Sequence, residues 1–251
     1  MNLYVFGDSY AEFSPNGWLD RWQRKNANSK VHCYAMGGSA IEHAENQMWK
    51  YGVRKRLKNS NDIGMFFVSS PYRMWLDCHI DTTIHGNDSK QLKERRKIQP
   101  KSQEQLDHLK RNNIVKYYDG AYYFVAWDTQ RHLRDMHRTF CSIDYHAKNY
   151  SQFFVFFCFE DALRTYKRLE QTSWKNINVV DNFAFDKIAQ DPKRPGNILP
   201  FFRDAPNHMN EHQNRTFAYT LDSSIKNKKF DYTLFDAFWE RYDYTYNESR
   251  E

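Results

Sequence analysis

The chain lacks the features that would settle its class at a glance. Its four cysteines, Cys33, Cys78, Cys141 and Cys158, are spread over 251 residues with no close pair and no Cys-x-x-Cys. That removes a cysteine-based framework and leaves free, mostly buried thiols in a reducing compartment as the simplest account. No apolar run approaches the roughly 20 residues of a membrane-spanning helix. The first residues lack the basic segment and long apolar stretch of a signal peptide. A soluble, cytoplasmic protein with no membrane partner is therefore expected, and later assembly into a virion-like particle stays open. There is no internal repeat and no low-complexity segment. Excess charge is also modest, at +6. One basic cluster, Lys93, Arg95, Arg96, Lys97 and Lys101, would suit an anionic partner. Its simpler reading is a solvated face, and nucleic acid is set aside as a partner on so small a patch.

What the chain has is aromatic bulk. Hydrophobic residues make up 40% and aromatic residues 17% of the sequence, so the core must be built largely from Phe, Tyr and Trp. The length suits one large domain, read here as a single unit over 1–251. Leu3 to Phe6, Val31 to Tyr34 and Ile63 to Val68 are short β-prone runs. Helical stretches separate them, around Gly17 to Asn26 and from Ile41 to Leu57. That alternation predicts an α/β fold with a parallel sheet covered on both faces.

The segment from about 77 to 128 is polar and basic and reads as an insertion with local helices and a small hairpin at Tyr117 to Val125. From Thr129 onward, Leu133, Met136, Phe140, Ile143, Ala147, Tyr150, Phe154 and Phe157 recur at helical spacing. Such a stripe packs on the sheet or on a second subunit, which keeps a homo-oligomer open. Phe153 to Phe159 also reads as a strand, and the pattern alone does not choose. Asn178 to Asp181 is a further strand, followed by a loop from Asp191 to Pro200. Asn210 is a suitable N-cap for a helix towards Leu221. Phe235, Phe238 and Trp239 share helical spacing in the tail.

Gly7-Asp8-Ser9 breaks the first strand at once, so Ser9 falls at the carboxyl end of a strand, where open α/β sheets bind ligands. By itself this is an ordinary turn, with Ser9 as a helix cap. A serine hydroxyl needs a base to take its proton and a third group to orient that base. Asp204 and His208, just before the last strong helix, supply both types. Gly37-Gly38-Ser39, after the second strand, supplies a glycine turn whose backbone N–H groups can approach a developing oxyanion.

In these three blocks, in this order, the chain resembles the SGNH (GDSL-type) hydrolase family. The resemblance implies a flavodoxin-like three-layer α/β/α fold and ester or thioester hydrolysis with neither metal nor cofactor. It further implies Ser9 as nucleophile, His208 as base, Asp204 as its orienting carboxylate, and Ser9 and Gly38 as backbone oxyanion donors. The expected substrates are small-molecule or glycan esters, including O-acetyl groups on sugars. Two features depart from the family pattern. Where a Gly-x-Asn-Asp block usually follows the third strand, this chain has Ser69-Ser70-Pro71-Tyr72-Arg73, so either Ser70 or Arg73 is the substitute donor or the hole has two donors only. Three residues, not two, separate Asp204 from His208.

Two other readings compete. His208-Met209-Asn210-Glu211-His212 fits His-x-x-Glu-His, in which His208 and His212 would bind zinc and Glu211 would act as base. Little chain remains beyond it for a third ligand. The non-enzyme alternative is a carbohydrate-binding or virion structural module on a hydrolase fold, weak or inactive as a catalyst.

Overall fold

A computed structural model of the chain describes residues 1–36, 39–53, 61–70, 129–169, 173–186, 209 and 211–230. Several sequence expectations lie outside these residues. They are the insertion and its hairpin, the 191–200 loop, the aromatic tail, Gly38, Arg73, Asp204 and His208.

The described elements alternate as expected of an α/β protein. They run β1 (Asn2–Phe6), α1 (Trp18–Lys25), β2 (Lys30–Cys33), α2 (Ile41–Gln47), a π-helical turn (Met48–Val53) and β3 (Ile63–Val68). Beyond residue 128 come α3 (Thr129–Ala147), β4 (Gln152–Phe157), α4 (Glu160–Tyr166), β5 (Asn178–Ala184) and α5 (Glu211–Asn227). The five strands form one parallel sheet in the order β2-β1-β3-β4-β5. The order reverses between β1 and β3, and the carboxyl edge at such a switch point is where open α/β sheets bind ligands.

The two faces of the sheet bury separate apolar clusters. Leu3, Val5, Met65, Phe67, Phe154 and Phe156 face one way, onto Trp18 and Trp22 of α1 and Phe217 and Leu221 of α5. Phe6, Phe66, Val68, Phe153, Val155 and Phe157 face the other way, onto α2, α3 and α4. The alternation explains why β3 and β4 read as nearly unbroken apolar runs: both of their faces are covered. Each fully buried Phe contributes about 1.5–3 kcal/mol by leaving water, and their rings interlock. Phe67 stacks on Phe156 at 5.1 Å between centroids, and Phe185 meets Phe217 edge-on at 5.0 Å. Gly64 in β3 makes room for this bulk, since a Cβ there would fall 2.2 Å from the ring of Phe153.

The ambiguous stripe divides in two. Its first half is α3, which ends at Ala147 where the chain turns through Lys148 and Asn149. Its second half is β4, because Phe153-Phe154-Val155-Phe156-Phe157 is aromatic and β-branched with no polar gap and is buried on both faces. The Ile41 helix leaves α geometry at Met48. β5 extends to Ala184, and the C-terminal helix runs from Glu211 to Asn227. The short α4 has no counterpart in the sequence reading. Gly17 offers α1 no side-chain cap, and Asn214 of α5 substitutes by accepting the Trp18 N–H at 2.9 Å. Among the described residues, no helix is long and apolar enough to cross a membrane.

Candidate functional site

All five strands run in parallel, so their carboxyl ends share one edge. Gly7-Asp8-Ser9 follows β1 there, Ser69-Ser70 follows β3, Cys158 follows β4 and Phe185-Asp186 follows β5. Ser9 stands at the head of a tight turn in which the Ala11 N–H donates to the Asp8 carbonyl at 3.0 Å. The Asp8 side chain closes over the same residue, its Oδ1 accepting the Tyr10 N–H at 3.1 Å. No helix starts here: α1 begins at Trp18 with Gly17 at its cap, so capping does not explain Ser9. Ser9 is half-buried, and among the described residues its hydroxyl makes no hydrogen bond.

Gly7 is what lets the turn form. Its φ is +153°, a region L side chains rarely adopt, and a Cβ would lie 2.5 Å from the Phe67 Cβ and 3.0 Å from the Phe67 carbonyl oxygen. The strand can therefore end against β3 only at a glycine.

Asp8 is completely buried and ties three strand ends together. Besides the Tyr10 N–H, its carboxylate receives the Cys158 thiol at 3.0 Å and faces the Ser69 hydroxyl at 3.3 Å. Ser69 has one proton, and its shorter contact is to the Ser39 carbonyl at 2.8 Å. The Ser39 hydroxyl in turn donates to the Gly7 carbonyl at 3.0 Å, and the Met36 N–H donates to that same oxygen at 3.1 Å. Gly7, Asp8, Ser39 and Ser69 thus form a closed hydrogen-bonded corner. Both residues flanking the Gly37-Gly38 pair are fastened to Gly7, two positions before Ser9.

Ser70 is also buried, and its hydroxyl donates to Asp161 Oδ2 at 2.7 Å. The other oxygen of Asp161 accepts the Ala162 N–H at 2.7 Å in the first turn of α4. The Ser70 proton is therefore directed at α4. Nearby, Asp186 Oδ1 accepts the Glu160 N–H at 3.0 Å, joining the ends of β4 and β5.

Of the residues singled out from the sequence, the structure brings Ser9, Ser39, Ser69 and Ser70 to one edge. Gly38, Arg73, Asp204 and His208 lie outside the described residues. Glu211, the base of the zinc reading, pairs with Arg21 at 2.8 Å and lies near Arg215 at 3.8 Å. Among the described residues, no group of three His, Cys, Asp or Glu side chains is placed to hold a metal ion. Sequence reasoning missed Asp8, Cys158 and Asp161. Asp8 was in view inside the turn motif. Its partners Ser69 and Cys158 stand 61 and 150 residues away, with no spacing to announce them. No protein-family model matches the chain, and neither a curated protein nor a solved structure matches it.

Proposed function

We propose that this chain is a serine ester hydrolase of the SGNH (GDSL-type) kind, acting on small acyl esters that include O-acetyl groups on carbohydrates. One observation carries the reading: Ser9 heads a built turn where the strand order reverses between β1 and β3, and among the described residues no capping role or hydrogen bond accounts for its hydroxyl. The fastening to Gly7 of Met36 and Ser39, which flank the Gly37-Gly38 pair in sequence, supports a role for that pair in the site. The separate apolar clusters on the two sheet faces support a three-layer α/β/α fold of the flavodoxin-like kind.

In this reading the Ser9 oxygen attacks the ester carbonyl while His208, oriented by Asp204, takes its proton. The Ser9 and Gly38 N–H groups receive the charge that develops on the carbonyl oxygen. His208 returns the proton to the departing alcohol, leaving an acyl group on Ser9. Water, deprotonated by His208, then attacks the acyl carbonyl, and His208 returns that proton to the departing Ser9 oxygen as the acid is released. Because the Ser70 proton points to Asp161, a third oxyanion donor beside the two backbone groups is Arg73 or is absent.

The same detail favours a second reading, a binding or structural module on this fold. Both serines after β3 direct their protons within the protein, Ser69 to the Ser39 carbonyl and Ser70 to Asp161. A missing oxyanion donor costs about 10²–10³ in turnover. Hydrolysis of aryl acetates and of O-acetylated sugars by the wild type and by Ser9→Ala separates the two. The hydrolase reading expects turnover that Ser9→Ala abolishes. A folded wild type inert towards both substrate classes leaves the binding module.

A further inference from the structure

Across the sheet face that carries α2 and α3, one apolar cluster joins Ile41 and Ala44 of α2 and Met48 of the π-helical turn to Met136 and Phe140 of α3. A carboxylate has been placed in that seam. Glu42, in the first turn of α2, is partly buried, and its Oε2 is enclosed with no hydrogen-bond partner among the described residues. Its neighbour Glu45 does find a donor, the Thr139 hydroxyl of α3 at 3.3 Å.

Among the described residues, the charges around Glu42 do not compensate for its burial. Asp135 and Arg138 of α3, and Glu45 on the same helix, act on it electrostatically. His146 of α3 faces Glu45, and burial together with Lys148 holds its imidazole below the ordinary value. His43 sits beside Gln47 at 3.4 Å. β1 and β3 meet α2 in the same cluster through Phe6, Phe66 and Val68, none of them charged. The π-helical turn adds Lys50, which is exposed and lies over the Tyr51 ring. Burial pushes the Glu42 carboxyl above the usual carboxylate range; a hydrogen bond from its own backbone N–H and the charge of Arg138 oppose this, while Asp135 and Glu45 add to it.

α2 is also the helix that leads out of the site corner. Ser39, just before its first turn, donates to the Gly7 carbonyl and receives the Ser69 hydroxyl on its own carbonyl. We propose that the α2–α3 seam is a pH-sensitive latch, in which ionisation of Glu42 loosens α2 and with it the hold of Ser39 on Gly7 and Ser69. The latch depends on the packing of the seam and not on the chemistry assigned to Ser9, so the two claims fail separately.

The sign follows from linkage. A carboxyl whose folded value lies above its unfolded one favours the fold most when protonated. That contribution is complete below the ordinary glutamate value of about 4.3 and is lost as pH rises through the raised folded value. Glu42→Gln keeps the shape and removes the charge. Thermal melts of the full chain at pH 4.5 and pH 8 test this directly. The variant should match the wild type at pH 4.5 and melt about 2–4 °C higher at pH 8. Asp135→Asn should move the same way by less. Hydrogen exchange, corrected for intrinsic rate, reads the link to the site. Protection across residues 39–47 should fall between pH 5 and pH 8 in the wild type and hold in Glu42→Gln. An equal gap at both pH values, a variant no more stable at pH 8, or the same loss of protection in both proteins overturns the latch.

Discussion

Asp8 and Glu42 are carboxylates turned away from water on either side of Ser39, and their surroundings could hardly differ more. Around Asp8 the ends of β1 and β4 supply a backbone N–H and a thiol, and the Ser69 hydroxyl beyond β3 lies 3.3 Å away. Around the Glu42 Oε2 the α2–α3 seam supplies no hydrogen-bond partner among the described residues. Leaving a buried polar group without a partner costs about 1–3 kcal/mol, more than a satisfied bond returns. The first arrangement therefore holds a corner rigid. The second stores a cost that protonation relieves. A helix seam on the opposite face sharpens the contrast. There Asp222 of α5 is met by Lys25 of α1 at 3.0 Å and by Lys226 at 3.2 Å. Burial raises its carboxyl, and the two lysines more than reverse that, so it ends below the usual range.

Substitutions at these positions should separate the three environments. The largest effect is expected at Gly7→Ala, where the added Cβ meets the backbone and Cβ of Phe67 at a φ of +153°. A loss of about 3 kcal/mol or more in a denaturant titration is expected, and a loss below about 1 kcal/mol would show that the β1 turn is not fixed by this contact. Next comes Asp8→Ala, which strips the Tyr10 N–H and the Cys158 thiol of their common acceptor. It should cost on the order of 3 kcal/mol. Asp8→Asn, which keeps an acceptor oxygen, should cost clearly less. If the two variants were equally damaging, the charge and not the hydrogen bonding would be holding the corner.

The smallest effect is expected at Asp222→Asn, with a sign opposite to that of Glu42. A depressed folded value contributes stability above the unfolded value, and that stability disappears as pH falls through the folded one. Because Lys25 and Lys226 are largely exposed, solvent screens the pair, and the loss at pH 7 should stay below about 1 kcal/mol. Melts in acid should show no difference from the wild type. A stabilising Asp222→Asn at pH 7 would erase the distinction between the two seams.

How far the sequence could be read follows the reach of the interactions involved. β1, β2 and β3 were legible because short apolar runs ending at turn residues are a local signal. The second half of the Leu133–Phe157 stripe was not, since Tyr150, Phe154 and Phe157 keep helical spacing while lying in or beside a strand. Only the density of aromatic residues between Phe153 and Phe157 tells them apart. α4 escaped notice because seven residues carry too little periodicity. Gly7-Asp8-Ser9 was visible as a turn, but its organisation was not. The partners that make Asp8 a hub come from β3 and β4, and only the folded sheet brings them together. The absence of an Asn after β3 could be read directly. That Ser70 turns its proton to Asp161 could not, because α4 itself had not been foreseen.

The central claim is that Ser9, set on the corner built by Gly7 and Asp8, is a nucleophile. Fluorophosphonate labelling of the intact protein, with the adduct mapped by mass spectrometry, tests it most directly. The account predicts a single phosphonylated site at Ser9, lost in Ser9→Ala and retained in Ser70→Ala. A folded protein that takes up no probe, or that carries it on Ser70 instead, would contradict it.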